Sequence, residues 1–422
     1  MPRSMSKMLL LPIALLGVSF AGGQDKRIWV LRAPGEMVEY DAATFAQKLM
    51  VKVPAEALGS PQNLSVNRAG QILFAEPVSL PLAEGDAASA RKIWFWDGHA
   101  ATALTRNVAR TTATTGSNLA ISETAPVPYL SEDGAHLYWF QNQARRLQRD
   151  GVDLSTKTTW SAWRTDLHGE ERQDLASVIL PECSCPTGGC EESCPYAQIW
   201  APAAGIGKYF LVTQFIAGKT QPVYQSSSVY EESGAKWNAV PVNPPLRRVF
   251  DAAGANAILE AIPDTSCCGW SNQSNDQTIL RQGGKTVTVF DEFAEYKNPD
   301  YDVSFYTDNG QISPDTSAVA FTVRATGEPN KPIQLAEQGQ ANPEESQRIR
   351  KALLDLPAVE IKSVDDASKR MAFLPHATLV GWISEKEILI VEGHVLTTYN
   401  VTNATRRKSA IRAEDAAHVF LR

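Results

Sequence analysis

Short apolar strands alternate with polar turns along most of the chain, and the alternation recurs as one phrase. In this first phrase a short strand leads into a turn with Ser, Asn or Asp, and a second apolar strand follows. It is clear at 64–74, 130–140 and 312–321, and fainter at 204–212, 250–259 and 383–391. One such unit cannot bury its own apolar face, so the repeat predicts an architecture of packed units.

A second phrase follows several of the first ones, and it consists of an aromatic-rich strand, a polar turn and another strand. Residues 92–105 contain Ile-Trp-Phe-Trp, and 161–175 and 394–407 are further copies. A fourth copy, at 27–40, has no first phrase before it. Because alternate side chains of a strand point to opposite faces, Ile-Trp-Phe-Trp predicts a strand buried between two sheets. Asp-Gly, Asn-Gly and His-Gly pairs supply the positive φ that tight hairpins need.

These phrases resemble a known repeat family. Ile312-Ser-Pro-Asp with Val319-Ala-Phe321 is similar to the repeat of TolB-like, WD-like β-propellers, although Thr316 replaces the expected Gly. Ile93-Trp-Phe-Trp-Asp97 resembles the companion strand of that repeat. The resemblance implies a ring of four-stranded sheets. It brings no catalytic residue, because these repeats are structural.

Six first phrases therefore predict an all-β, six-bladed β-propeller that forms one domain over 22–422. Seven blades are the alternative and would need a degenerate unit within 320–380. The lone copy at the N-terminus indicates how the ring closes: strands in 27–45 are expected to pair with 380–402 and complete the C-terminal blade. Such closure removes exposed sheet edges.

One segment departs from the β pattern. Asn342-Pro343-Glu344-Glu345 has the residues of a helix start, and Ile349, Ala352, Leu353 and Leu356 follow at helical spacing. Pro357 ends the pattern. The sequence predicts a helical insertion over about 342–356, between the fifth and sixth blades.

The first 21 residues have the pattern of a secretory signal peptide. Arg3 and Lys7 precede an apolar run from Met8 to Phe20, and Ala21 offers a cleavage site. We therefore expect an exported protein, periplasmic or extracellular, with no transmembrane segment after cleavage. The formal net charge is −7 with mixed signs and no basic stripe, which argues against nucleic-acid binding.

All six cysteines fall in the third and fourth units. They are Cys183, Cys185, Cys190, Cys194, Cys267 and Cys268. An even number in an oxidising compartment favours disulfides, and the spacing of the first four lacks the Cys-x2-Cys pairs typical of zinc sites. Zinc stays an alternative for those four. Cys267 and Cys268 form a vicinal ring, as in quinone-dependent propeller dehydrogenases, or cross-link to the first cluster, or are free or metal-bound thiols.

Other chemistry is sparse in the sequence. Asp300, Asp302 and Ser304 alternate on one predicted strand and could bind calcium, or they form a polar turn. The nucleophile elbow, the His-Glu-x-x-His zinc motif and the phosphate loop are absent from the sequence. No cofactor is predicted, although calcium or zinc is possible.

The sequence favours a non-enzymatic binding or scaffold module for a protein or a cell-envelope component. Its candidate platform consists of the loops 181–200, 267–275 and 291–311, with Trp200, Trp270 and Tyr301 as aromatic anchors. The alternative is a propeller enzyme with its site in the central channel. It would be a metal-dependent hydrolase or lyase, or a quinone-type oxidoreductase.

Overall fold

The protein is described by a computed structural model. It covers residues 26–32, 35–53, 64–67, 69–81, 87–104, 109–110, 114–116, 119–123, 127–131, 134–149, 152–179, 183–184, 196–200, 209–217, 222–233, 236–242, 246–253, 256–261, 277–282, 285–296, 303–415 and 418–422. Within these residues the fold is all-β, with three short helices.

The strands of the first half of the chain are β1 (Arg27–Arg32), β2 (Glu36–Asp41), β3 (Gln47–Lys52), β4 (Leu64–Val66), β5 (Ile72–Pro81), β6 (Ala87–Trp96), β7 (Ala101–Ala103), β8 (Ala109–Arg110), β9 (Thr114–Gly116), β10 (Leu119–Glu123), β11 (Val127–Leu130), β12 (His136–Arg149), β13 (Val152–Asp166), β14 (Gln173–Ile179) and β15 (Cys183–Ser184).

Those of the second half are β16 (Tyr196–Trp200), β17 (Tyr209–Ala217), β18 (Pro222–Ser233), β19 (Lys236–Val242), β20 (Leu246–Ala253), β21 (Asn256–Ala261), β22 (Gln277–Gln282), β23 (Lys285–Asp291), β24 (Ser304–Ile312), β25 (Ala318–Thr326), β26 (Ala358–Ser363), β27 (Arg370–Pro375), β28 (Ala377–Ser384), β29 (Glu387–Glu392), β30 (Val395–Asn400), β31 (Arg406–Arg412) and β32 (Val419–Leu421). The helices are α1 (Glu292–Tyr296), α2 (Lys331–Glu337) and α3 (Pro343–Asp355).

The described strands form seven antiparallel sheets, here named A to G, in a β-propeller arrangement. Sheets D, E, F and G each contain four strands in chain order: β16–β19, β20–β23, β24–β27 and β28–β31. Sheet B has the order β4-β5-β6-β7, with β8 on β6. Sheet C is larger, with the order β14-β13-β12-β10-β9 and with β11 and β15 on its flanks. Sheet A has the order β3-β2-β1-β32.

The sheet count is one more than the six units predicted. Each of the six first phrases falls in its own sheet, B to G, and the seventh sheet is built on the lone N-terminal copy. The seventh unit is not in 320–380, because that stretch holds α2, α3 and most of sheet F.

The ring closes through the two chain ends, although not through the predicted strands. The expected pairing of 27–45 with 380–402 is wrong: β1 pairs with β32, with Ile28 opposite Leu421 and Val30 opposite Val419. The segment 380–402 belongs to sheet G, which already has four strands of its own. The N-terminal copy lacked only a first strand, and the last residues of the chain supply it.

Polar side chains in the turns explain why the two phrases recur. In the first phrase, the Ser131 and Ser313 hydroxyl oxygens accept hydrogen bonds from the amides of His136 (3.0 Å) and Ala318 (2.9 Å). In the second phrase, a carboxylate of the turn accepts from amides two to four residues further on, as Asp97 and Asp166 do. Each phrase is therefore a hairpin held by its own turn.

Backbone angles support two of the sequence interpretations. Thr316 has φ of 59°, so it occupies the left-handed position where the repeat family has Gly. Gly98 and Gly169 also have positive φ in their hairpins. The Asn309-Gly310 pair does not form a hairpin, because it lies in an irregularity inside β24, where the register shifts between Asp308 and Gln311.

The core lies between neighbouring sheets, as predicted for a strand with two apolar faces. On β6, Ile93 and Phe95 pack with Leu137, Trp139 and other residues of sheet C. Trp96, on the opposite face, packs with Trp29 and other residues of sheet A. Further clusters join sheets E and F, F and G, and G and A.

The predicted helix is present as α3. The Asn342 side-chain oxygen accepts hydrogen bonds from the amides of Glu344 (2.9 Å) and Glu345 (3.2 Å), and Ile349 and Leu353 are buried. The helix ends at Asp355. Its position differs from the expected one: α2 and α3 lie between the second and third strands of sheet F, not between two sheets.

Candidate functional site

Most residues proposed as functional from the sequence lie outside the described residues. These are Trp270, Tyr301, Asp300, Asp302, Cys185, Cys190, Cys194, Cys267 and Cys268. Trp200 ends β16 and Cys183 begins β15, where the structure describes the backbone. Ser304 begins β24. The aromatic anchors, the disulfides and the calcium site therefore stay predictions.

Four charged residues of the described part form one network of ion pairs, here the Glu360 cluster. It consists of Glu295, Glu360, Lys362 and Arg370. Arg370 places Nε 2.8 Å from Oε1 of Glu360 and Nη2 3.3 Å from Oε2 of Glu295. Lys362 contacts the Glu295 carboxylate and lies 3.5 Å from Oε1 of Glu360. Each carboxylate thus has two cationic partners, and the formal charges cancel.

Three elements bring this cluster together. Glu360 and Lys362 are two residues apart on β26, so they share one face of the strand, and Arg370 begins the neighbouring β27. Glu295 comes from α1, which directly follows the last strand of sheet E. The cluster therefore ties sheet E to the outer strands of sheet F.

Burial shapes the electrostatics of the cluster. The Glu360 side chain is fully buried and that of Lys362 nearly so. Burial raises the pKa of the Glu295 carboxyl above its ordinary value, and the charge of Glu360 raises it further, while Lys362 and Arg370 oppose both effects. Burial also raises the pKa of the neighbouring Tyr296 hydroxyl, and Glu360 adds to that shift.

The contacts of α1 show that the Glu360 cluster lies where sheet E packs on sheet F. The Glu292 carboxylate accepts a hydrogen bond from the Phe305 amide at 2.7 Å. The Tyr296 ring stacks on Phe305 with 3.9 Å between ring centroids. Arg348 of α3 donates to the Tyr296 carbonyl. Each of these contacts holds α1 against sheet F or its helical insertion. Glu295 and Tyr296, the groups of α1 with raised pKa values, therefore stabilise the packing of sheet E on sheet F.

A second polar seam connects the first two strands of sheet F to the first strand of sheet G. The side-chain nitrogen of Gln311 donates a hydrogen bond to the Val380 carbonyl at 2.9 Å. The side-chain oxygen of Gln311 accepts one from the backbone amide of Trp382 at 3.3 Å. The Thr322 hydroxyl accepts from the Leu379 amide at 2.9 Å. This seam, like the Glu360 cluster, joins two neighbouring sheets.

The outer strand of sheet G has a different character, and we name it the cationic edge. Four of the seven residues of β31 are basic: Arg406, Arg407, Lys408 and Arg412. All four are exposed. The Ser409 hydroxyl shapes the strand, since it donates to the Leu396 carbonyl at 2.8 Å and accepts from the Ile411 amide at 3.0 Å. Buried Ile411 anchors the strand to the core.

The cationic edge adjoins the outer part of sheet A. Arg407 donates to the Ala43 carbonyl and lies 4.7 Å from the ring centroid of Phe45, and both residues belong to the turn between β2 and β3. Leu49 and Met50 on β3 are among the few large apolar side chains that are exposed. Met50 pairs with Val38, which packs toward sheet G, so Met50 is the exposed apolar residue on the side of sheet A that faces the cationic edge, whereas Leu49 lies on the opposite face.

Sequence reasoning missed this edge. The chain has no basic stripe when charge is averaged along it, yet Arg406-Arg407-Lys408 stands out as a local run in a chain of net charge −7. This local run of basic residues, in a stretch with the two-residue alternation of a β-strand, was the sequence signal that could have revealed the edge.

The described residues offer little to a metal ion or a membrane. Their His, Cys, Asp and Glu side chains do not come together in groups of three that could hold a metal. None of the helices described has the length and apolar character needed to span a bilayer.

Comparisons with known proteins show similarity of fold at low identity. No protein-family model matches the chain, and no curated protein matches it. Among solved structures, an acylaminoacyl peptidase from Pyrococcus horikoshii is 11% identical with a TM-score of 0.43; the match covers 88% of this chain and 47% of the peptidase. The chain thus spans about half the length of that enzyme.

Two further solved structures are matched over nearly their whole length. The β-propeller domain of the trilobed protease from Pyrococcus furiosus is 12% identical with a TM-score of 0.39, over 91% of this chain and 94% of the domain. An ulvan lyase of polysaccharide lyase family PL25 is 10% identical with a TM-score of 0.41, over 93% of this chain and 92% of the lyase. The class that the sheets define is the β-propeller, and such distant similarity brings no activity to this chain.

Proposed function

We propose that the protein is an exported β-propeller that binds a protein or a cell-envelope component and is not an enzyme. The observation that carries the proposal is the cationic edge, where four exposed basic side chains lie on one strand and exposed Met50 lies on the face of sheet A that is turned to sheet G. Exposed apolar residues next to a concentrated charge are typical of partner-binding surfaces.

The interior supports the same proposal. Glu295 and Tyr296, whose pKa values are raised by burial, belong to the contact between sheets E and F. Displaced pKa values often indicate catalytic sites, but structural ion-pair networks produce them too. Here each carboxylate is held by two cations, which is the arrangement of a structural network.

The proposal includes export and disulfides. Cleavage after Ala21 would place the mature chain in the periplasm or outside the cell, where its six cysteines would be oxidised. Thiol titration of the denatured exported protein, with and without reductant, tests this part. We expect thiols only after reduction, and six free thiols before reduction would overturn it.

Partner binding is tested by photo-cross-linking in the cell that exports the protein. A photoactivatable residue replaces Met50, on the side of sheet A that faces sheet G, or, as a second position, exposed Ile179 on sheet C. We expect a discrete adduct from at least one position. Heterogeneous cross-linked products without a discrete adduct at either position would count against a binding module.

The absence of enzymatic function needs its own measurement. Elemental analysis and absorbance spectroscopy of the purified exported protein report bound metals and chromophores. We expect neither in stoichiometric amount. Calcium or zinc at one equivalent, or a quinone chromophore, would favour the propeller enzyme instead.

A further inference from the structure

We propose that the cationic edge is the docking site for an extended acidic segment of a partner protein. This inference rests on the proposed binding function and specifies the chemistry of the partner. The cationic edge and Met50 form the surface.

The charge of the edge is only partly neutralised within the protein. Arg406 contacts the Glu392 carboxylate, and Lys408 Nζ lies 3.4 Å from the other oxygen of the same group. One carboxylate therefore serves two cations. The described partners of Arg407 are a carbonyl oxygen and an aromatic ring, and neither carries a charge. Net positive charge is left at the edge, in a chain whose total is −7.

These contacts also hold the cations in place. The Lys408 side chain is 65% exposed although its amine is near Glu392, so the group is positioned and still accessible. Arg407 is restrained by Phe45 and Ala43. Since less conformational entropy is lost when a positioned side chain binds, such cations are better suited to a partner than mobile ones.

The spacing of the cations favours an extended peptide. Arg406 and Lys408 are two residues apart on a strand and lie on one face, about 7 Å from each other along the strand. Acidic residues that alternate along an extended peptide have the same repeat, so each carboxylate can meet one cation. β31 is the outermost strand of sheet G and, among the described strands, pairs with β30 only. Its other side offers backbone groups to an added strand.

An exposed apolar residue distinguishes this surface from an edge strand whose charges only prevent aggregation with other strands. Charged residues and irregularities on an edge strand often prevent aggregation, and β31 has both. That function needs no exposed apolar side chain nearby, yet Met50 is 47% exposed on the strand that follows the turn contacted by Arg407, on the face of sheet A turned to sheet G. A peptide with apolar residues between its acidic ones would use both features.

Binding of a labelled synthetic peptide tests the inference. In the peptide, Glu alternates with Val, and fluorescence anisotropy measures its affinity for the full chain. A peptide of the same composition with its Glu residues in one block, and one with Lys in place of Glu, are the peptide controls. We expect the alternating peptide to bind best, with an affinity that falls as salt is added.

Two charge-reversal variants localise the site. Lys408→Glu with Arg412→Glu changes the edge, while Lys351→Glu with Lys386→Glu changes the net charge equally at exposed positions elsewhere. We expect the first pair to weaken binding by at least about tenfold and the second to leave it near the wild-type value. Hydrogen exchange of the β31 amides should slow when the peptide binds, because an added strand would protect them.

Each other outcome overturns the inference. Equal weakening by both variant pairs would mean a nonspecific charge effect. Binding to vesicles of phosphatidylglycerol in place of the peptide, with the same dependence on Lys408 and Arg412, would identify a lipid surface. Aggregation of the edge variant without any peptide binding by the wild type would show that the cations only protect the edge. A cross-linked partner at Ile179 together with no peptide binding would overturn this inference and leave the proposed function standing.

Discussion

Arg422 donates a hydrogen bond from its side-chain Nε to the backbone carbonyl of Val66, at 2.6 Å. Val66 ends the first strand of sheet B, whereas Arg422 follows β32 of sheet A. The backbone of Arg422 also pairs with Arg27 in both directions, at 2.7 and 2.9 Å. The last residue of the chain thus joins the first strand β1 and the neighbouring sheet, so stability of the ring depends on the C-terminus.

Truncating Leu421 should therefore destabilise the protein strongly. Leu421 is buried in the cluster between sheets G and A, and Leu421→Ala is expected to lower the free energy of unfolding by about 2–5 kcal/mol. The matched control is Leu354→Ala, at a half-exposed leucine of α3, with an effect of about 0.5 kcal/mol or less. Chemical denaturation measures both, and equal effects would show that β32 does not close the ring.

The Glu360 cluster gives a second stability prediction. Glu360→Gln removes the carboxylate that both Lys362 and Arg370 contact and leaves a buried amine with one partner fewer. Breaking a buried ion pair from one side costs about 3–5 kcal/mol. Glu385→Gln, at an exposed glutamate between β28 and β29, is the control and should be near neutral. A near-neutral Glu360→Gln would mean that the buried carboxylate of Glu360 does not stabilise the cluster.

Acid should favour the folded wild type relative to Glu295→Gln. Burial and the neighbouring Glu360 raise the pKa of Glu295 in the folded state above its ordinary value of 4.5. A carboxyl with a raised folded-state pKa contributes most below its unfolded pKa, and the contribution is lost as pH rises through the folded pKa. Glutamine does not titrate. The stability of the wild type minus that of the variant should thus increase as the pH falls from 7 toward 4.5, as measured by urea denaturation, and a decrease would contradict the assigned direction.

The helix cap allows a prediction with two variants at one position. Asn342→Ala removes the oxygen that accepts from the amides of Glu344 and Glu345, and should cost about 1 kcal/mol in denaturation experiments. Asn342→Asp keeps an acceptor at the helix N-terminus and should retain wild-type stability. Equal losses in both variants would show that the cap does not stabilise α3.

Local interactions explain which parts of the fold were predictable. Asp97 and Asp166 accept hydrogen bonds from amides within four residues, and Asn342 caps the helix that it precedes. The interactions that form these hairpins and this helix start therefore lie within short stretches of sequence. The strand alternation at Ile93 and Trp96 likewise needed no distant partner. For these reasons the propeller, its hairpins and α3 could be predicted.

The parts that were missed depend on residues far apart in the chain. β32 is a three-residue strand without a turn motif, and its pairing with β1 joins the two ends of the sequence. Glu295 and Lys362 meet only because sheets E and F are neighbours. The candidate site also depends on residues far apart in the chain, since Arg407 and Phe45 become adjacent through ring closure. Only the charge run within β31 was visible locally.

The seam between sheets F and G gives the last prediction, because Gly381 leaves no room for a side chain. A Cβ atom at Gly381 would lie 2.6 Å from Oε1 of Gln311 and 3.2 Å from Cδ2 of Leu421. Gly381→Ala should therefore cost about 1–3 kcal/mol through overpacking. Gln311→Ala alone should also destabilise, since it removes the hydrogen bonds to Val380 and Trp382.

The double variant distinguishes a clash from a general loss of packing. With Gln311→Ala in place, the closest atom facing Gly381 is gone, so adding Gly381→Ala should cost clearly less than it does in the wild type. Gly381→Ala combined with Gln347→Ala, at an exposed glutamine of α3, should be additive. Denaturation of the single and double variants measures the coupling. Strict additivity in the Gln311 pair would show that the Gln311 side chain does not determine the need for glycine at this seam.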